Sequence, residues 1–198
     1  MSEEVKVAGV AEGVKVVHLV LVAVSAAIAA ILDAFGVITT PIIPGVSLFY
    51  PGEAFLVAFA IWFGIWGLIG NWIGTIIGGL ITGMPLFVAV IMKFANFVQP
   101  LVPALVWKTM KLDIKLKDKK SMIMFIIFGA VLGPIVGASW GCGTLVLVGF
   151  VPASVFWIAW WGWFLGDMIV MLVLGIPIMI LGSPYVERAG LYIEGWIY

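Results

Sequence analysis

The residues best suited to chemistry in this chain are a few charged groups that lie within or beside long apolar runs. They are Asp33, Glu53, Lys93 and Asp167. A charge in hydrocarbon is costly, so each is either a functional group or one half of an internal ion pair. Two alternatives are open for Asp167: it contacts a ligand, or it pairs with Lys93 inside the protein.

Two tryptophans share a predicted helical face with Asp167. Trp160, Trp163 and Asp167 occupy positions i, i+3 and i+7, which a helix places on one side. An aromatic wall above a carboxylate suits a flat or cationic small molecule through stacking and cation–π contact. Alternatively, the tryptophans form an aromatic belt at the membrane interface.

Enzyme motifs are nearly absent. The sequence has no HExxH, no nucleophile elbow, no phosphate-binding loop and no His–Cys–Asp set,. Its single cysteine, Cys142, allows neither an internal disulfide nor a cysteine metal cluster,. Gly166-Asp167 is similar to the Gly-Asp element of intramembrane aspartyl proteases. Those enzymes need a second, facing aspartate, and the one aspartate left for that position, Asp33, lies in no such motif. We therefore expect no enzyme, no catalytic residue, no metal and no cofactor.

The composition predicts a lipid environment. The 198 residues are 64% hydrophobic and only 10% charged, with a mean hydropathy of +1.26. Soluble domains are about half apolar and about a quarter charged. We expect one all-α transmembrane domain over residues 1–198, without a cleavable targeting peptide,. A formal net charge of zero argues against nucleic acid as a partner,.

The apolar runs predict a compact bundle of about six transmembrane helices. The long run over 54–82 is divided at the Gly70-Asn71 step into two short glycine-rich helices, and one tilted span is the alternative,. The glycine-rich stretch 137–143 is expected to break the fifth helical run. The predicted helices cover residues 14–36, 54–69, 70–82, 86–107, 121–140 and 152–181.

The lysine-rich segment 108–120 sets the predicted orientation. It holds six lysines and two aspartates, so the positive-inside rule places it in the cytoplasm. Six spans then place both termini on that same side of a cell membrane. Five spans would place the N-terminus opposite the lysine-rich segment.

Two further features organise the predicted bundle. Gly70, Gly74 and Gly78 repeat every four residues and form a smooth stripe that another helix can approach closely. The apolar segment 37–53 contains three prolines, which a helix does not sustain. We expect this segment to be a loop that folds over the bundle as a lid or plug.

The whole-chain plan resembles the substrate-binding S components of energy-coupling-factor transporters. The resemblance rests on VAVSAAIAAIL in the first helix, the apolar loop, and AFLVAFAIWFGIWGLIGNWIGTIIGGLITGMP. It implies that an alanine face docks a transmembrane scaffold subunit, which acts with ATPase subunits, and here Ala23, Ala27 and Ala30 match. It also implies a ligand near the outer side, under the first loop and against helices four to six. By that resemblance, together with the aromatic face of helix six, the candidate substrate-binding residues are Tyr50, Glu53, Asn96, Trp140, Trp160, Trp163 and Asp167.

A second resemblance covers much of the same chain. Pro51-Gly52-Glu53, the Gly-Trp-rich spans, Asn96 and WIAWWGWFLGDMIVMLVLGIP are similar to MASE-type membrane-associated sensor domains. Those domains normally precede a cytoplasmic output module, which this sequence does not contain. The sequence therefore favours a binding subunit of a vitamin- or cofactor-precursor importer, and the alternatives are a sensory domain or a structural subunit of a larger membrane complex.

Overall fold

The computed structural model describes residues 14–197 and is 77% helical with almost no sheet. Four of its helices are long and apolar enough to cross a membrane, and two apolar helices are shorter. The helical content confirms the predicted all-α class, and the length and composition of these helices support a membrane protein. The helices are α1 (Val16–Thr39), α2 (Gly52–Phe63), α3 (Ile65–Ile81), α4 (Leu86–Met110), α5 (Lys119–Leu147) and α6 (Ala153–Arg188), and the strands are β1 (Pro41–Ile43) and β2 (Val46–Ser47).

The glycine stripe of α3 packs closely against another helix, as predicted, and that helix is α1. A Cβ atom added at Gly74 would lie 2.2 Å from the carbonyl oxygen of Ala26 and 2.7 Å from Cβ of Ala29. Both are fixed atoms of a helix, so neither can swing aside. Gly70 and Gly78 meet α1 in the same way, one turn before and one turn after. This close approach joins the first and third helices along most of their length.

The boundary between α2 and α3 lies at Gly64, and the predicted division at Gly70-Asn71 is wrong. Gly64 has φ +59°, and a Cβ atom there would lie 2.5 Å from the carbonyl oxygen of Trp196. Only glycine accepts both that conformation and that contact at low cost. Asn71 continues α3 and donates its side-chain amide to the carbonyl oxygen of Leu56 at 2.8 Å, so it joins α2 to α3.

The chain after α6 folds back against the α2–α3 junction. The backbone N–H of Ile193 donates to the carbonyl oxygen of Trp62 at 2.8 Å. Lys108, at the end of α4, donates to the carbonyl oxygen of Ile193, and Lys115 pairs with Glu187 of α6. The lysine-rich segment, this tail and the α2–α3 junction therefore lie at one end of the bundle.

Four predicted helices extend further in the structure, and the fourth helix in the chain continues past residue 107 to Met110. The first helix continues past Gly36 to Thr39, and the sixth continues past residue 181 to Arg188. The fifth runs without interruption through 137–143 to Leu147, so the predicted break there is wrong. Gly137 and Gly141 do not end the helix, because they accommodate the side chains of Gln99 from α4 and Trp163 from α6.

Candidate functional site

A short β-hairpin covers the end of the bundle opposite the lysine-rich segment. We call residues 40–50, which include β1 and β2, the lid hairpin. Its ends are joined through Thr40, whose hydroxyl group donates to the carbonyl oxygen of Phe49 and accepts from the Phe49 N–H, both at 3.1 Å. The apolar segment predicted to cover the bundle is thus an ordered hairpin, with Val46 only 2% exposed.

Glycines of α6 allow the lid hairpin to lie directly on that helix. A Cβ atom at Gly166 would lie 1.9 Å from the carbonyl oxygen of Leu48, and one at Gly162 would lie 2.2 Å from Cδ1 of Ile42. At the tip of the hairpin, Gly45 (φ +83°) lies against Met84 in the connection between α3 and α4. The hairpin therefore contacts both sides of the opening it covers.

A small polar cavity of about 20 Å³ lies beneath the lid hairpin. Side chains from α1, the hairpin, α4 and α6 form its walls. Four of the predicted substrate-binding residues are among them, together with an ion pair that the prediction had not assigned to the site. The polar and aromatic wall residues are Asp33, Tyr50, Lys93, Asn96, Trp163 and Asp167.

The partner of Lys93 is Asp33 and not Asp167. The Lys93 ammonium donates to Oδ1 of Asp33 at 2.7 Å, and the two residues are 2% and 3% exposed. Asp33 is therefore buried in the protein and does not extend toward the lipid headgroups. Lys93 lies in a turn that interrupts α4 after Met92, and the ion pair joins this turn to α1.

Asp167 is instead held by a glutamine. Nε2 of Gln99 donates to Oδ2 of Asp167 at 2.7 Å, and Nε1 of Trp163 donates to Oε1 of the same Gln99 at 3.2 Å. One amide of α4 thus fixes both a carboxyl group and an indole ring of α6. We call this arrangement the Gln99 bridge.

Two glycines of α5 make room for the Gln99 bridge. A Cβ atom at Gly137 would lie 1.6 Å from Oε1 of Gln99, and one at Gly141 would lie 2.4 Å from the ring of Trp163. These positions belong to the stretch that the sequence had suggested as a helix break. Their function in the fold is to admit the side chains that build one wall of the cavity.

Glu53 is completely buried next to this site, at the start of α2. Its backbone N–H donates to the carbonyl oxygen of Tyr50 at 3.1 Å. Neither carboxyl oxygen of Glu53 makes a hydrogen bond of normal distance and angle in the part of the chain that the structure describes, although Gln99 lies near that carboxyl group, and the Tyr50 hydroxyl group makes none either. Glu53 is close enough to Asp167 for the two carboxyl groups to interact electrostatically. The site therefore holds buried polar atoms whose hydrogen-bonding capacity is unused.

The other two predicted tryptophans lie away from the cavity. Trp140 is 41% exposed and donates its indole N–H to the carbonyl oxygen of Ile91 at 2.9 Å. Trp160 donates to the hydroxyl group of Ser139 at 3.0 Å and stacks on Phe164. Of the predicted aromatic face, only Trp163 contributes to the cavity wall, because the Trp160 ring is directed toward Ser139 of α5 and Phe164 of α6.

The predicted docking alanines do not share one environment. Ala23 and Ala27 are exposed on α1, whereas Ala30 is 8% exposed and packs against Gly78 of α3. The glycine stripe contacts α1 from Val22 to Asp33, and Ala23 and Ala27 are exposed outside this contact. The surface available to a partner at this face consists of Ala23 and Ala27.

The sequence analysis named Asp33 and Lys93 as candidate functional or ion-pair groups, but it did not include them or Gln99 among the substrate-binding residues. The signal was present for two of them, because Lys93, Asn96 and Gln99 recur every three residues and so share one face of a helix,. Nothing in the sequence indicated that Asp33 would reach Lys93 across the bundle. Among residues 14–197, no group of three His, Cys, Asp or Glu side chains is arranged to hold a metal ion.

Comparisons of the chain with protein-family profiles, curated proteins and solved structures found no match. The geometry described above is therefore the basis of the functional proposal.

Proposed function

We propose that this protein is a membrane-embedded binding subunit for a small molecule and acts as the S component of an energy-coupling-factor type importer. The observation that carries the proposal is the polar cavity beneath the lid hairpin. Polar and aromatic groups from four separate elements converge there, as in sites that fix the orientation of a ligand. Its buried, unpartnered polar atoms supply hydrogen bonds that a ligand would complete,.

Ligand entry requires the lid hairpin to move. A cavity of about 20 Å³ has room for about one water molecule,, so a vitamin-sized molecule fits only when the hairpin lifts. The hydrogen bonds of the hairpin at Thr40 are made to Gly36, Leu48 and Phe49, within its own segment of the chain. Its contacts with α6 pass through glycines, where the packing is by van der Waals contact. The hairpin can thus lift without losing those bonds.

The contacts at the lysine-rich end of the bundle support six spans. His18 near the start of α1 stacks on Trp66 at the start of α3, at the end of the bundle that also holds the lysine-rich segment and the tail. Each of the six helices then runs between this end and the hairpin end. At 12 residues, α2 is about 18 Å long,. It needs no match to bilayer thickness, because every residue but Phe55 is buried. With the lysine-rich end in the cytoplasm, the cavity opens toward the outside of a cell membrane.

The partners follow from the proposal. The scaffold subunit docks on the exposed alanines of α1, and separate subunits supply ATP hydrolysis, since the sequence contains no phosphate-binding loop,. Ala27→Trp should abolish co-purification of the scaffold, because an indole there prevents close approach of a second helix. Leu147→Trp is the matched control, since Leu147 is 87% exposed on α5. Intact assembly of the Ala27→Trp protein would overturn this docking surface.

The direct test of the proposal is native mass spectrometry of the protein gently solubilised from its own membranes. We expect a bound small molecule, together with species whose masses match a scaffold and two ATPase subunits. A ligand-free chain in an unrelated membrane complex would contradict the importer proposal and favour a structural role. Ligand response of the isolated chain, without any ATPase partner, would favour the sensory alternative.

A further inference from the structure

The charged groups in and beside the cavity are unequal in number. Three residues carry carboxyl groups, Asp33, Glu53 and Asp167, and one, Lys93, carries an ammonium group. Asp33 and Lys93 form an ion pair with each other. Among the described residues, Glu53 and Asp167 therefore share this region without a basic side chain of their own.

The unused hydrogen-bonding atoms show the same imbalance. They include both carboxyl oxygens of Glu53 and Oδ2 of Asp33, all fully buried and without a hydrogen-bond partner among residues 14–197. An ionised carboxyl group only accepts hydrogen bonds, and a protonated one donates a single bond and still accepts. Among the described residues that line the cavity, the fully buried atoms without a partner are Oδ2 of Asp33 and the Tyr50 hydroxyl group, and Glu53 lies just behind the wall. The site thus offers mainly acceptors, and its complement is a molecule rich in donors.

The aromatic residues of the cavity wall suit the same kind of molecule. Tyr50 and Trp163 are both 7% exposed and both line the cavity. The face of an aromatic ring attracts a cation, most strongly where water is excluded. Trp163 is also held in place by the Gln99 bridge, so its ring is already fixed when a ligand enters.

We propose that the cavity takes a small organic cation with N–H donors, an ammonium or amidinium compound, whose charge is neutralised by Asp167 and Glu53. This inference rests on the proposed function, because it names the ligand class of the same cavity. An ammonium or amidinium group beside Asp167 and Glu53 would offset the cost of burying an ionised carboxyl group there, a cost that otherwise favours the neutral acid. The ring of Tyr50 and the indole of Trp163 would contact the apolar part of the ligand.

The test uses pairs of probes that have nearly the same shape and differ in charge. Benzamidinium is compared with neutral benzamide, and benzylammonium with neutral benzyl alcohol, on the full-length protein in detergent at fixed ionic strength. Binding is measured by quenching of tryptophan fluorescence and by the shift of the thermal unfolding midpoint. We expect the cation of at least one pair to bind on the order of tenfold or more tightly than its neutral counterpart, since charge-assisted hydrogen bonds are roughly twice as strong as neutral ones.

Variants connect that preference to the cavity. Asp167→Asn keeps an acceptor for Gln99 and removes the charge, and Glu53→Gln removes the other charge, so each should reduce the preference for the cation. Glu187→Gln is the control, because Glu187 pairs with Lys115 at the far end of the bundle and its loss should leave the preference unchanged.

If the cation binds no more tightly than the neutral probe in both pairs, the inference is overturned. A preference that persists in both cavity variants would overturn it as well. The proposed function fails separately: a bound neutral or anionic molecule in native mass spectrometry would contradict only the inference, whereas the absence of ligand and partners would contradict the proposed function.

Discussion

Adding one methyl group to α5, at Gly137, should displace the Gln99 side chain that fixes one wall of the cavity. Replacing Gly137 by alanine places a carbon 1.6 Å from Oε1 of Gln99 and 2.5 Å from its Cδ. The Gln99 side chain is flexible enough to swing away, so the helices need not separate. When it swings away, it loses its hydrogen bonds to Asp167 and Trp163.

The size of the effect follows from those two bonds. A hydrogen bond to a charged group contributes about 1.5–3 kcal/mol and a neutral one about 0.5–1.5 kcal/mol. Alanine gains up to about 1 kcal/mol over glycine as a helix former. The net loss for Gly137→Ala is therefore about 1–3 kcal/mol, which lowers the unfolding midpoint by several degrees in a chain of this size.

The assay is thermal unfolding in detergent, followed by tryptophan fluorescence, with ligand retention measured in parallel. Gly143→Ala is the matched control, because Gly143 lies in the same helix and a Cβ atom there meets nothing within 4 Å. That control should be as stable as the native protein or slightly more so, and it should keep the ligand. Equal stability and equal ligand retention in the two variants would refute the claim that Gly137 makes room for the Gln99 side chain.

Three further substitutions test the rest of the structure by unfolding in detergent. Lys93→Met should destabilise the protein by about 3–5 kcal/mol, because it leaves Asp33 buried without its partner. Adding Asp33→Leu to that variant should recover most of the lost stability. A double variant as unstable as Lys93→Met alone would contradict the pairing. Gly64→Ala should lower the free energy of unfolding by more than about 1 kcal/mol, because Gly64 has a positive φ and contacts the carbonyl oxygen of Trp196 in the tail,. Unchanged stability of this variant would mean that the tail does not pack against Gly64. Trp62→Phe should cost about 1–2 kcal/mol by removing a 2.9 Å bond to Ser183,, and an unchanged midpoint would show that this bond adds nothing.

Much of the scaffold was predictable because apolar length and glycine spacing are local properties. The run of apolar residues indicated the helices, and the four-residue repeat of Gly70, Gly74 and Gly78 indicated a close helix contact that the structure contains. The break at Gly64 was not predictable, because its cause is the carbonyl group of Trp196, which is far away in sequence.

The candidate site was predictable only in part, for a related reason. Helical spacing placed Trp163 and Asp167 on one face, and both line the cavity. Spacing within one helix cannot tell which distant side chain completes a bond. The pairing of Lys93 with Asp33 and the seating of Gln99 over Gly137 depend on how α1, α4, α5 and α6 pack together. For the same reason, a glycine that admits a neighbour looked like a glycine that ends a helix.

Both the proposed function and the proposed ligand class require the cavity beneath the lid hairpin to be a ligand site. The most direct measurement is an experimental structure of the protein purified from its own membranes without added ligand. We predict density for a molecule larger than water in contact with Tyr50, Trp163 and Asp167, in a cavity wider than the present 20 Å³ or so. A closed hairpin over a cavity that holds one water molecule, or none, would contradict the account.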